Sequence, residues 1–151
     1  MTKMPPEFNF KPRSKTTRVI IHESHTPASV TNAVGLLRAQ GRANGLLEIG
    51  YHYVIERDGR FTETRLPSRI GSHAPGCNHD SIGICLAADK DWVMTEHAEQ
   101  MNTLARIYGT LVESYGHLKV FGHDEVVRRR DRTHKCPSFD MYQVKGWLFP
   151  T

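Results

Sequence analysis

The chain of 151 residues has the length of one ordinary domain and can bury a core without disulfide staples. Its 38% hydrophobic and 24% charged residues read as a soluble globular chain, and no uncharged apolar run is long enough for a membrane span, which excludes one. Cys77, Cys85 and Cys136 are an odd count without the close spacing of a secreted scaffold, which argues against a disulfide framework, while a net charge of +4 favours anionic partners.

Residues 1–15 carry Pro5, Pro6 and Pro12 and read as a flexible arm. They hold no apolar stretch like a signal-peptide core, so synthesis in a cytoplasm is expected. Residues 16–151 read as one domain. Arg18 to His22 is apolar and β-branched, as in a buried strand. Ser29 is placed to cap a helix with Val30, Ala33, Val34 and Leu37 on one face, stopping near Gly41. Tyr51 to Glu56 and Arg60 to Arg65 flank Arg57-Asp58-Gly59, a hairpin signal. Ser81 to Ala87 is a third strand. Met101, Leu104, Ala105, Tyr108, Leu111, Val112 and Tyr115 recur at helical steps, with Thr95 as the expected cap and Gly116 as the stop. Leu118 to Phe121 then reads as a strand and Phe139 to Leu148 as a last helix. Strands alternating with helices predict an α/β single-domain sandwich with a central mixed β-sheet flanked by helices.

His22 and His123 both fall where strands end, a place from which a rigid scaffold presents site residues. With Cys136 they make two imidazoles and a thiolate, a borderline-soft set that zinc prefers. Three protein ligands would leave a position open, as in catalytic zinc sites. The competing reading is two ordinary half-buried histidines and a small core cysteine. Tyr51 reads on pattern as a strand tyrosine, and His52, on the opposite face by alternation, as core or as support for the site. His73, Asn78 and His79 lie in a Gly-rich loop that either holds substrate or serves turn chemistry at Gly76-Cys77-Asn78. Cys85 is expected to be buried, and His25, His97 and His117 to be surface residues. Arg128-Arg129-Arg130 with Arg132 lacks interleaved aromatics and reads as a solvated loop, so no specific nucleic acid is expected.

Together these segments resemble the zinc-dependent N-acetylmuramoyl-L-alanine amidases of type 2, whose fold is shared with peptidoglycan recognition proteins. The resemblance rests on Ile20-Ile21-His22, Gly50-Tyr51-His52-Tyr53 with Arg57-Asp58-Gly59, Gly71-Ser72-His73-Ala74, Asn78-His79-Asp80-Ser81-Ile82-Gly83-Ile84, Gly122-His123-Asp124 and Cys136-Pro137-Ser138-Phe139-Asp140. Gly-Tyr-His-Tyr and Lys-Cys-Pro-Ser-Phe-Asp are most similar to the small single-domain phage enzymes. The resemblance implies His22, His123 and Cys136 as ligands of one zinc ion and Tyr51 as a catalytic tyrosine. In the phage amidases a lysine two residues before the ligand cysteine assists; here that position is His134. Either His134 takes that catalytic role or the longer loop shifts Lys135, otherwise expected at the substrate, into it. The implied activity is a phage-type endolysin that hydrolyses the amide between N-acetylmuramic acid and L-alanine of peptidoglycan and lyses the host. It would act as a monomer on the wall once the membrane is breached. Two alternatives come with the resemblance: a catalytically weak peptidoglycan-binding module, which a complete ligand set argues against, and a bifunctional protein that also inhibits a phage RNA polymerase.

Overall fold

The computed structural model describes residues 10–127 and 135–150. Strands β1 (Arg18–Glu23), β2 (Tyr53–Ile55), β3 (Phe61–Glu63), β4 (Ser81–Leu86) and β5 (Lys119–Gly122) form one sheet in the order β3-β2-β4-β1-β5. All neighbours are parallel except the β2–β3 hairpin, so the sheet is mixed as expected. Helices α1 (Ala33–Ala43), α2 (Ala98–Tyr115), α3 (His123–Val126) and α4 (Met141–Leu148), with a short 3-10 turn at Met94–Glu96, complete the described elements. In β4 every residue is buried, the near-continuous apolar pattern of a strand covered on both faces.

The two sheet faces are covered unequally. On one, Val19, Ile21, Ile82, Ile84 and Leu86 pack against Met101, Leu104 and Leu111 of α2 and Val144 of α4. Full burial of each such side chain stabilises by about 1.5–3 kcal/mol. On the other, α1 covers Val54, Cys85 and Ala87 through Ala33 and Val34. Strand alternation sends Ile20 and His22 to this second face. There Ile20 packs with Ala74 and Cys77 of the loop before β4 rather than with α1. The second face therefore has room for a site beside α1.

Several boundaries differ from the sequence reading. Helix α1 is capped by Asn32, whose side chain accepts from Gly35 N–H at 3.0 Å, not by Ser29. The Glu56 carboxylate accepts from Ala33 N–H at 2.9 Å and Val34 N–H at 3.3 Å, so a distant residue fixes the start. The helix passes Gly41 and ends at Ala43, before Gly45 at φ 85°. Thr95 lies in a short 3-10 turn, and His97 is the N-cap residue of α2. Tyr51 and His52 precede β2 instead of belonging to it. Part of the expected arm is within the described residues: Arg13 N–H donates to Ser68 at 2.8 Å, and Phe10 lies 3.8 Å below the Arg65 guanidinium.

Candidate metal centre

Ligand atoms of His22, His123 and Cys136 all lie within 4.8 Å of one another. Tetrahedral zinc, with bonds of about 2.0–2.3 Å, holds neighbouring ligand atoms ~3.3–3.8 Å apart, so the cluster is close to the spacing that could hold a metal ion. Three elements deliver the donors. His22 comes from the buried strand β1. His123 opens α3 directly after β5, and the Glu125 carboxylate closes that turn by accepting from Gly122 N–H at 2.9 Å. Cys136 is held by a reciprocal pair: its N–H donates to Asp124 Oδ2 at 2.7 Å, and Asp124 N–H donates to its carbonyl at 2.8 Å. Gly122 permits this approach, because a Cβ there would stand 2.7 Å from Met141 and 3.0 Å from Pro137.

The electrostatics suit a thiolate. Burial opposes ionisation of Cys136, yet hydrogen bonds with His123 and His25 prevail and bring its pKa down to about 7. His25 hydrogen-bonds to Cys136 and then to Glu23, which together raise its pKa to about 9. Burial works against the Glu23 carboxylate too, but His25 and the backbone N–H of Ser138 hold its pKa below the usual value. Cys85, fully buried, is pushed far up by desolvation and stays a thiol.

The remaining sequence candidates fall in distinct places. The Tyr51 ring lies 4.7 Å from the His22 ring, beside the donors. His73 is buried behind His22, with 2.9 Å between His73 Nδ1 and His22 Nε2. Asn78 Oδ1 accepts from the backbone N–H groups of His73 and Ala74, each at 2.9 Å, and so shapes their loop. His79 is exposed and 3.8 Å from Asp80. Lys135 borders a pocket of about 250 Å³ with Cys136, Asp124 and Asp140. His134 and the Arg128 to Arg132 cluster lie outside the described residues. His52 is fully buried: its Nε2–H donates to Arg69 carbonyl at 2.6 Å and its Nδ1 accepts from Gly83 N–H at 3.0 Å.

Sequence reading missed two features of this centre. His25 is exposed as expected, but a backbone φ of 56°, a conformation that a non-glycine residue rarely adopts, turns its ring back onto the Glu23 and Cys136 edge, a contact with no sequence signal. Asp124 was a neighbour of His123 with no assigned role, because a reciprocal bond across a loop has no sequence signal. A separate groove of about 680 Å³ lies between the hairpin and α2. It shares no lining residue with the donor cluster.

A family model described as N-acetylmuramoyl-L-alanine amidase matches residues 12–139. Among curated proteins, the chain is 35% identical over 145 residues to the endolysin of Enterobacteria phage T3, covering 93% of this chain and 91% of that one. It is 35% identical over 142 residues to the endolysin of Escherichia phage T7, covering 91% and 89%. Among solved structures, the N-acetylmuramoyl-L-alanine amidase LysC from Clostridium intestinale URNW superposes with a TM-score of 0.73 at 25% identity, covering 96% of this chain and 90% of that one.

Proposed function

The chain belongs to the N-acetylmuramoyl-L-alanine amidase family, and we propose that it is a zinc-dependent endolysin that cuts the amide between N-acetylmuramic acid and L-alanine in peptidoglycan. The observation that carries this reading is the convergence of the His22, His123 and Cys136 donor atoms within 4.8 Å beside the Tyr51 ring. His22, His123 and Cys136 would hold the ion. The chemistry the ion supplies when bound is Lewis acidity towards an amide carbonyl and towards water, which answers the weak electrophilicity of amides.

The chain's own residues supply the rest. Cys136, with its pKa near 7, offers a thiolate at neutral pH, the form that binds metal. Tyr51, whose ring lies 4.7 Å from the His22 ring, is the residue we assign to donate its phenol hydrogen to the oxygen that gains charge when the carbonyl becomes tetrahedral, and losing one such donor costs about 10²–10³ in rate. The assisting group belongs to the segment before Cys136: His134, with Lys135 as the rival for the same role. Asn78 fixes the loop of His73 and Ala74, and the exposed polar groups of His79 and Lys135 are assigned to bind glycan or peptide. Among the described residues no helix is long and apolar enough to cross a membrane. Made in the host cytoplasm, the protein would meet the wall after a membrane breach.

The test is product chemistry. Purified peptidoglycan treated with the protein should release stem peptides with free L-alanine amino groups and no new reducing sugar ends. Chelation should stop the release and zinc should restore it. Cys136→Ser, which replaces a thiolate with a neutral hydroxyl, should weaken zinc binding by more than about 100-fold. New reducing ends would refute the amidase reading, and full activity in verified metal-free protein would refute zinc.

A further inference from the structure

Behind the metal centre runs a line of buried polar groups that the mechanism above does not use. His22 Nε2 and His73 Nδ1 are 2.9 Å apart, with the rings edge-on at 82°. His73 Nε2 lies 3.4 Å from Ser81 Oγ, and the Ser81 hydroxyl donates to the Cys77 carbonyl at 2.6 Å. His22, His73 and Ser81 are all buried. The packing leaves the His73 ring one place to be: a Cβ on Gly83 would meet it at 2.6 Å, and one on Gly71 at 2.8 Å.

The direction of this line is set at its far end. A carbonyl only accepts, so the Ser81 proton goes to Cys77, at 2.6 Å against 3.4 Å for the alternative. Ser81 Oγ is then an acceptor for His73 Nε2–H. A neutral imidazole carries one proton, so His73 Nδ1 becomes an acceptor in turn. Its neighbour, His22 Nε2, must therefore carry the hydrogen, which leaves His22 Nδ1 as the nitrogen with a lone pair.

We propose that His73 and Ser81 are positioning residues that hold His22 in the Nε2–H tautomer and thereby prepare its Nδ1 to bind the metal. The same groups in the opposite polarity would put a proton on Nδ1 and block it. This assigns His73 a place behind the ligand rather than a contact with substrate. It rests on the zinc reading above only for its consequence, since the tautomer exists in the metal-free protein.

The tautomer is read by ¹⁵N NMR of the full-length metal-free protein. His22 should show the Nε2–H form, and the Nδ1–H form would overturn the proposal. Zinc affinity, measured by competition with a chromophoric chelator, should fall about 10–100-fold in His73→Leu, the usual effect of losing a partner behind a ligand. His73→Asn, whose side-chain oxygen replaces the Nδ1 acceptor, should recover most of that loss, and Ser81→Ala should lie between. Unfolding of each apo variant is followed in parallel. Wild-type affinity in a folded His73→Leu protein would overturn the assignment. If His73→Leu does not fold, equal affinity in wild type and Ser81→Ala together with an Nδ1–H His22 would do the same. Failure of the wild-type chain to bind zinc would refute the metal reading instead, leaving the tautomer to decide this one.

Discussion

At the scale of single residues, Tyr51 makes the sharpest prediction. Its ring lies beside His22 without belonging to the donor set. Tyr51→Phe keeps the ring and removes only the hydroxyl, so zinc content should be unchanged while kcat falls about 10²–10³. An unchanged kcat in zinc-loaded protein would remove the phenol from the reaction. Single residues also show what a sequence can and cannot reveal. The clustering of His22, His123 and Cys136 was legible because such chemistry restricts residue type and because two of them sit at the ends of apolar strands. His52 was correctly expected inside, but its bridge from Arg69 to Gly83 depends on a register that no local pattern contains. The bonds of His25 and Asp124 to Cys136 were illegible for the same reason: they join residues remote in sequence or across a loop.

At the scale of elements, strands and helices were read where periodicity is strong, and their ends were missed where tertiary contacts decide. Helix α1 is the clear case. Ser29 is a good cap residue by type, yet Glu56 at the end of β2 supplies two acceptors to Ala33 and Val34 and draws the start to Asn32. A carboxylate at a helix N-terminus also faces the positive end of the helix dipole. Glu56→Ala strands two buried N–H groups and should cost about 2 kcal/mol, seen as a Tm lower by ~4–8 °C for a chain of this size. A shift below 1 °C would show that Asn32 alone sets the cap. The hairpin followed its Asp-Gly signal, with Gly59 at φ 94° and Asp58 accepting from Arg60 N–H at 3.0 Å, though both strands are shorter than the alternation suggested.

At the scale of the whole molecule, buried histidines couple stability to pH. Burial, with the Arg13 and Arg65 charges adding to it against an opposing bond to the Arg69 backbone, lowers the His52 pKa from 6.5 to about 3. His73 is lowered in the same direction, chiefly by burial. Between those two pH values the unfolded chain binds a proton that the folded chain refuses. The His52 contribution is therefore intact above about pH 6.5 and is lost at about 1.4 kcal/mol per unit as pH falls towards 3. In urea unfolding of metal-free protein, the wild type should lose about 2 kcal/mol more than His52→Gln between pH 7 and pH 5. Equal losses would mean that His52 does not stay neutral in the fold.

The backbone N–H of Ser138 bonds to Glu23, a contact between residues 115 positions apart, and it sits beside the place where His22 and Cys136 meet. The first donor leaves the ribosome early, and the third follows after every strand of the sheet. A growing chain therefore carries an incomplete centre through almost all of its synthesis. On the zinc reading proposed above, catalytic competence would belong only to chains extended past Cys136, and shorter ones would be harmless for want of a single sulfur.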